Sequence, residues 1–131
     1  MDSPDSRAGA RFRAVLLVDD DRTLVESLRA ALADENFLVD AAYDGAEALL
    51  KVRVHEYDAV VCDLQMPNLR GEEFYRRAVE LRPEIAGRFL FITGYGGQPE
   101  VRQFLESVSA PRLHKPFSVQ ELIGVVQRLV G

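Results

Sequence analysis

The chain has 131 residues, 47% of them hydrophobic and 28% charged, the proportions of one globular domain. Its single cysteine, Cys62, excludes an internal disulfide framework; folding at this size buries roughly two thirds of the unfolded surface, so stability requires neither disulfide nor structural metal. Twenty-one acidic against sixteen basic residues leave a formal charge of −5, the wrong sign for a domain that grips nucleic acid through phosphates.

Residues 1–11 are rich in Ser, Pro, Asp, Gly and Ala without apolar periodicity, which predicts a disordered leader or linker remnant and a domain over 12–131. From Phe12 onward, short apolar runs alternate with segments of helical period. Strands are expected at 14–18, 38–42, 59–62, 89–92 and 112–114. Between the first two, Leu24, Val25, Leu28, Ala31 and Leu32 form one helical stripe, with Arg22, Glu26 and Arg29 on the wet side. Ala48, Leu49 and Val52 mark a second helix after Asp44 and Gly45. A third is expected over 72–81, stopping before Pro83 because the residue ahead of proline is pushed out of the helical region. Val101, Phe104, Leu105 and Val108 mark the fourth. Val119, Leu122, Ile123, Val126, Leu129 and Val130 mark the fifth, which Ser118 and Glu121 start as a capping box. Strands and helices in strict alternation predict one α/β domain, a doubly wound five-stranded parallel sheet flanked by five helices. No apolar run is long enough for a membrane span or a signal-peptide core, and a cytoplasmic protein is expected.

In open parallel sheets, ligands bind beyond the carboxyl ends of the strands. The first strand runs into Asp19, Asp20 and Asp21, the third ends at Asp63, the fourth at Thr93 and the fifth at Lys115. Asp21 reads as a helix N-cap. Capping needs one carboxylate, and crowding like charges is unfavourable unless a cation relieves it, so Asp19 and Asp20 read as metal ligands. Asp63 alone could be a turn former, since Pro67, Asn68 and Gly71 mark a loop. Lys115 alone could be a surface lysine, one of only two lysines in the chain, although a cis bond to Pro116 would aim its ammonium inward. Together these carboxylates, hydroxyl and ammonium have the architecture of a site for Mg²⁺ and a phosphoryl group, since Mg²⁺ takes oxygen ligands from one or two carboxylates plus phosphate.

Leu17-Val18-Asp19-Asp20-Asp21, then Asp63-Leu64-Gln65-Met66-Pro67 with Gly71, then Thr93-Gly94-Tyr95-Gly96, then Lys115-Pro116-Phe117, occur in order. In this set the chain resembles a response-regulator receiver domain over about residues 13–131. The resemblance implies a flavodoxin-like, CheY-like fold with strand order 2-1-3-4-5. It also implies that Asp63 accepts a phosphoryl group from a sensor histidine kinase or a histidine phosphotransfer protein. Asp20 and Asp63 would bind Mg²⁺ directly, Asp19 through water, and the Gln65 backbone carbonyl would complete the set, while Thr93 and Lys115 would hold phosphoryl oxygens. Phosphorylation would bias the loops after the fourth and fifth strands, the first of which Gly94, Gly96 and Gly97 make mobile, although they also read as ordinary turn glycines. A downstream protein would read the change through the fourth helix, fifth strand and fifth helix. No direct contact with nucleic acid or membrane is expected.

One departure stands out: receivers usually carry Tyr or Phe three residues before the lysine, where this chain has Arg112. That leaves open a receiver-fold binding module that works without phosphorylation. A true phosphohydrolase is disfavoured, because such enzymes commonly need an aspartate two residues after the nucleophile and Gln65 stands there; slow self-dephosphorylation is the most expected. The chain ends with its fifth helix, which fits either a single-domain regulator or a receiver cut from a longer protein. The segment from Phe89 to Tyr95 and the Arg112 run are more similar to receivers of hybrid sensor kinases. Cys62 reads as core, and His55 and His114 as surface or packing residues. Lys51 reads as solvated, and Arg76 and Arg77 as facing water beside Glu72, Glu73 and Glu80.

Overall fold

A computed structural model describes residues 12–66, 68–94 and 98–131. Strands β1 (Arg13–Val18), β2 (Phe37–Ala42), β3 (Ala59–Asp63), β4 (Phe89–Thr93) and β5 (Arg112–His114) form one sheet in the order β2-β1-β3-β4-β5. All four pairings are parallel. The connecting helices are α1 (Arg22–Asp34), α2 (Gly45–Val54), α3 (Gly71–Leu81), α4 (Pro99–Ser107) and α5 (Val119–Val130). The expected fold is thus the observed one, with strand ends moved by a residue. One element was not expected, a 3-10 helix at Pro83–Arg88. Proline fixes a turn-compatible φ at its first position, and Ile85 is buried beneath it. The expectation for residues 1–11 lies outside the described residues, as do Pro67, Tyr95, Gly96 and Gly97.

Alternation along the strands divides the core into two. Leu16, Val18, Val60, Cys62, Phe89 and Phe91 point to the face covered by α2, α3 and α4. Val15, Leu17, Ala59, Val61, Leu90 and Ile92 point to the face covered by α1 and α5. Strands with large side chains on both faces can persist only where both faces are covered, which is why their sequences read as unbroken apolar runs. On the first face, Tyr75 packs edge-on against Phe89, Phe91 and Phe104 at centroid separations of 4.8, 5.5 and 5.5 Å, geometries that suit the aromatic quadrupole.

Caps begin the helices where the sequence placed them. Asp21 accepts from the Leu24 N–H at 3.1 Å, and Ser118 and Glu121 complete the capping box of α5. Asn36, with φ 69°, turns the chain from α1 into β2 in the left-handed region that asparagine tolerates.

Two expectations about charged residues are corrected. Lys51 is only partly solvated: it is half-buried, and its Nζ donates to the Ala41 carbonyl near the end of β2 at 2.7 Å. Glu72 does not share the wet face with Arg76 and Arg77: it lies in the first turn of α3 and is buried with Phe74 and Ala78. Cys62 is buried as expected, and burial pushes its thiol pKa up, leaving it unreactive.

The loop from β3 to α3 is held by close approach. A Cβ on Gly71 would lie 2.7 Å from the Asp63 carbonyl oxygen and 2.8 Å from the Leu64 Cα, whereas a Cβ on Gly87 would meet nothing within 4 Å. Gly71→Ala is therefore expected to lower stability by about 1–3 kcal/mol through overpacking against backbone. Gly87→Ala should stay within about 1 kcal/mol of wild type, and urea unfolding of both variants checks the contrast.

Candidate functional site

The parallel register brings the polar strand ends together. Val18 lies opposite Cys62, so Asp19 and Asp63, one residue further along each strand, emerge side by side. Asp63 in turn pairs with Ile92, Ile92 with Leu113, and Thr93 with His114, which brings the end of β4 and the start of the β5–α5 loop to the same edge. Oxygens of Asp19, Asp20 and Asp63 all lie within 4.8 Å of one another. Asp19 and Asp63 are buried, at 6% and 4% exposure, whereas Asp20 is exposed.

Each buried carboxylate has a backbone partner. The Asp21 N–H donates to Asp19 Oδ1 at 2.9 Å, and the Gln65 N–H donates to Asp63 Oδ1 at 3.0 Å. The other Asp63 oxygen accepts from Lys115 Nζ at 3.3 Å, and the same Nζ lies 4.0 Å from Asp19 Oδ2. The Lys115 N–H donates to the Thr93 carbonyl at 2.8 Å, and the Lys115–Pro116 peptide is cis. Thr93 is buried at the end of β4, Gln65 is exposed, and His114 is exposed on the strand beside Lys115.

Electrostatics follow from the crowding. Burial is the main cause that pushes the Asp19 pKa up to about 6; the charges of Asp63 and Asp20 add to it, while the Asp21 N–H and Lys115 oppose it. For Lys115, burial acts to lower the pKa, but the charges of Asp63 and Asp19 outweigh it and the value is raised. Three carboxylates beside one ammonium leave two formal negative charges, which a divalent cation would neutralise. The donors are hard oxygens on a rigid strand end, the type that Mg²⁺ prefers. The donor set therefore fits that ion.

The site also contains residues that the sequence reading did not single out. Arg70 and Gln98 join Asp20, Gln65 and Met66 around a cavity of about 500 Å³. A lone arginine in a loop has no spacing signature, and only the path of the β3–α3 loop places it beside Asp20. Arg112 is exposed, and its Nη2 donates to the Leu105 carbonyl at 3.2 Å.

A doubly wound sheet with acidic residues and a lysine gathered at its carboxyl edge forms a site suited to a divalent cation and an anionic group, and comparison with known proteins identifies the class. The family description for the response regulator receiver domain matches residues 15–127. Transcriptional regulatory protein CutR of Streptomyces coelicolor is 36% identical over 115 residues, a match covering 88% of this chain and 52% of CutR. Response regulator ArlR of Staphylococcus aureus is 28% identical over 116 residues, again covering 88% of this chain and 52% of the relative. This chain thus spans about half the length of the curated relatives it matches. Among solved structures, chemotaxis response regulator CheY4 of Vibrio cholerae superposes with a TM-score of 0.78 at 30% identity, covering 91% of this chain and 99% of that one. A CheY-like receiver domain protein from Methanospirillum hungatei gives 0.83 at 25% identity, covering 92% and 94%.

The chain belongs to the response regulator receiver domain family. Receiver domains of this family work in two-component signal transduction, are phosphorylated by histidine kinases and generally bind Mg²⁺ in an acidic pocket. No helix among the described residues is long and apolar enough to cross a membrane.

Asp19 carries a stability prediction. Its folded pKa lies above the unfolded value of 3.8, so its contribution to stability is greatest below about pH 4 and falls as pH rises through 6. Without metal, ionised Asp19 therefore destabilises the fold, by as much as about 3 kcal/mol for a shift of this size. Asp19→Asn in EDTA at pH 8 should be more stable than wild type by about 1–3 kcal/mol, with the difference closing as pH is lowered towards 4. Urea titrations across that range measure it.

Proposed function

We propose that Asp63 is the phosphoacceptor of this receiver and that the domain switches conformation when phosphorylated. The observation that carries this reading is the placement of Lys115 Nζ, 3.3 Å from a buried Asp63 oxygen and 4.0 Å from an Asp19 oxygen, where the oxygens of Asp19, Asp20 and Asp63 cluster. In the transfer, an Asp63 oxygen forms a bond to phosphorus while the bond from phosphorus to the donor's histidine nitrogen breaks, and that nitrogen leaves with the electron pair. No proton need move at Asp63. The transition state is loose and its charge is spread over the phosphoryl oxygens, so positioning and electrostatic stabilisation supply most of the catalysis.

Each group then has a role. Asp19, Asp20, Asp63 and the Gln65 backbone carbonyl would hold Mg²⁺, which when bound neutralises the excess negative charge and draws phosphoryl oxygens to the site. The Gln65 N–H fixes one Asp63 oxygen and leaves the other towards Lys115. Lys115 stabilises negative charge that builds on the phosphoryl group. Thr93 supplies a hydroxyl at the end of the adjacent strand. After transfer, Thr93 and Lys115 gain oxygens to bind, and this differential contact biases the ends of β4 and β5. No carboxylate stands at Gln65 to activate water, so hydrolysis of the aspartyl phosphate is slow and the domain acts as a switch.

Readout runs through α4, β5 and α5 to a downstream protein, within a cytoplasmic domain over 12–131 that accepts its phosphoryl group from a histidine kinase or phosphotransfer protein. Arg112, bonded to the Leu105 carbonyl at the end of α4, occupies the position where an aromatic ring swings in similar domains. Here the link between β5 and α4 is polar.

Acetyl phosphate with Mg²⁺ should add the mass of one phosphoryl group to the chain; EDTA and Asp63→Asn should each abolish the gain in intact-mass spectra. Equal gain in Asp63→Asn would overturn the assignment. Lys115→Arg should still be phosphorylated but switch poorly, because a planar fork does not replace a compact ammonium in a confined site. Hydrogen exchange at the ends of β4 and β5, with and without beryllofluoride, should show a large change in wild type and a small one in the variant.

A further inference from the structure

The groups that surround the acidic edge include a cation to which the transfer chemistry above assigns no part. Arg70, the residue ahead of α3, lines the same cavity as Asp20 and Gln65. Its Nη2 lies 3.5 Å from Glu72 Oε2, with the arginine side chain 52% exposed and the glutamate 12%. Glu72 is buried among the apolar residues of α3, and its Oε1 makes no hydrogen bond among the described residues. A buried carboxylate with an unpaired oxygen is unfavourable. It lies within ion-pair distance of the Arg70 guanidinium, which remains half exposed and can offer donors of its fork to another ligand.

We infer that Arg70 is an anion-binding residue at the mouth of the site, contacting the phosphoryl group of the incoming donor, and that Glu72 is the positioning residue that keeps the guanidinium there. The inference rests on Asp63 being the acceptor. A phosphoryl donor approaching this edge meets three carboxylates; even with a divalent cation bound, the site is close to neutral and offers a dianionic donor little attraction. Lys115 is already engaged with Asp63. Among the described residues that line the cavity, Arg70 is the cation, and it is exposed; its fork suits two oxygens of one phosphoryl group. Its contact is with the donor before and during transfer, when phosphorus is still bonded to the leaving atom. For acetyl phosphate, the bond from phosphorus to the bridging oxygen breaks, acetate leaves with the electron pair, and an Asp63 oxygen takes its place on phosphorus. Arg70 changes no bond in this step.

The test compares two small donors at saturating Mg²⁺, the more highly charged acetyl phosphate and the less charged phosphoramidate, by following intact mass against time. Wild type, Arg70→Ala, Arg70→Lys and Glu72→Gln are used, each first checked for folding by circular dichroism and urea unfolding. Arg70→Ala should lower the second-order rate with acetyl phosphate about tenfold, the size expected of one charge-assisted hydrogen bond, and with phosphoramidate by clearly less. Its rate should also depend less steeply on salt. Arg70→Lys should recover part of the loss, and Glu72→Gln should give an intermediate rate at unchanged Mg²⁺ affinity. Rates in Arg70→Ala within twofold of wild type, or an equal loss with both donors and an unchanged salt slope, would overturn the inference. Absence of any phosphoryl gain in folded wild type would instead overturn the assignment of Asp63.

Discussion

The structure turns on the crowding of three carboxylates at the carboxyl edge of a parallel sheet, balanced by one ammonium. Asp19 and Asp63 are both buried, and neither can move far, because β1 and β3 are central strands hydrogen-bonded on both sides. The repulsion is therefore stored, and only three things relieve it: backbone N–H donors from Asp21 and Gln65, the Lys115 ammonium, and a cation from solution. The first two are built in, yet burial, with the neighbouring charges adding to it, still raises the pKa of Asp19. The arrangement fits a divalent ion, which receiver domains generally bind in an acidic pocket.

The rest of the fold serves that rigidity. Two apolar layers hold the sheet from both faces, and β3 and β4 carry no charged or hydroxyl residue until they end at Asp63 and Thr93. Gly71 lets α3 begin against the Asp63 carbonyl, which brings the Gln65 N–H and the Arg70 side chain round to the acidic edge. The Lys115 N–H is tied to the Thr93 carbonyl, so the ends of β4 and β5 are mechanically joined. In the function proposed for this domain, a change at Asp63 would pass along this join towards α4 and α5, with Arg112 and its bond to Leu105 in place of the usual aromatic.

Much of this was legible without coordinates, for a definite reason. Strands covered on both faces must be apolar throughout, so Asp19, Asp63 and Thr93 stood out as the residues at which the apolar runs stop, and Lys115 as one of only two lysines in the chain. Helix caps were equally local: Asp21 and Ser118 announce themselves by type and spacing. Lys51 and Glu72 were misread because helical periodicity places a charged residue on a wet or dry face without showing what its flexible head can reach. Lys51 finds the Ala41 carbonyl one strand away, and Glu72 faces inward at the first turn of α3. The 3-10 helix after α3 was missed because a proline read only as a stop also starts a turn.

By itself the sequence determined the alternation of strands and helices, the two-sided core and the residues that end each strand, because these depend on periodicity and on neighbours a few positions apart. The resemblance of its four motifs to receiver domains supplied the strand order and the family. What only the tertiary structure decided was convergence: that Lys115 reaches Asp63 at 3.3 Å across 52 residues, that Asp20 shares a cavity with Arg70, and that Arg112 bonds to the end of α4. Those contacts depend on the parallel register and on loop paths, which are set by packing over the whole sheet and leave no mark in the local order of residues.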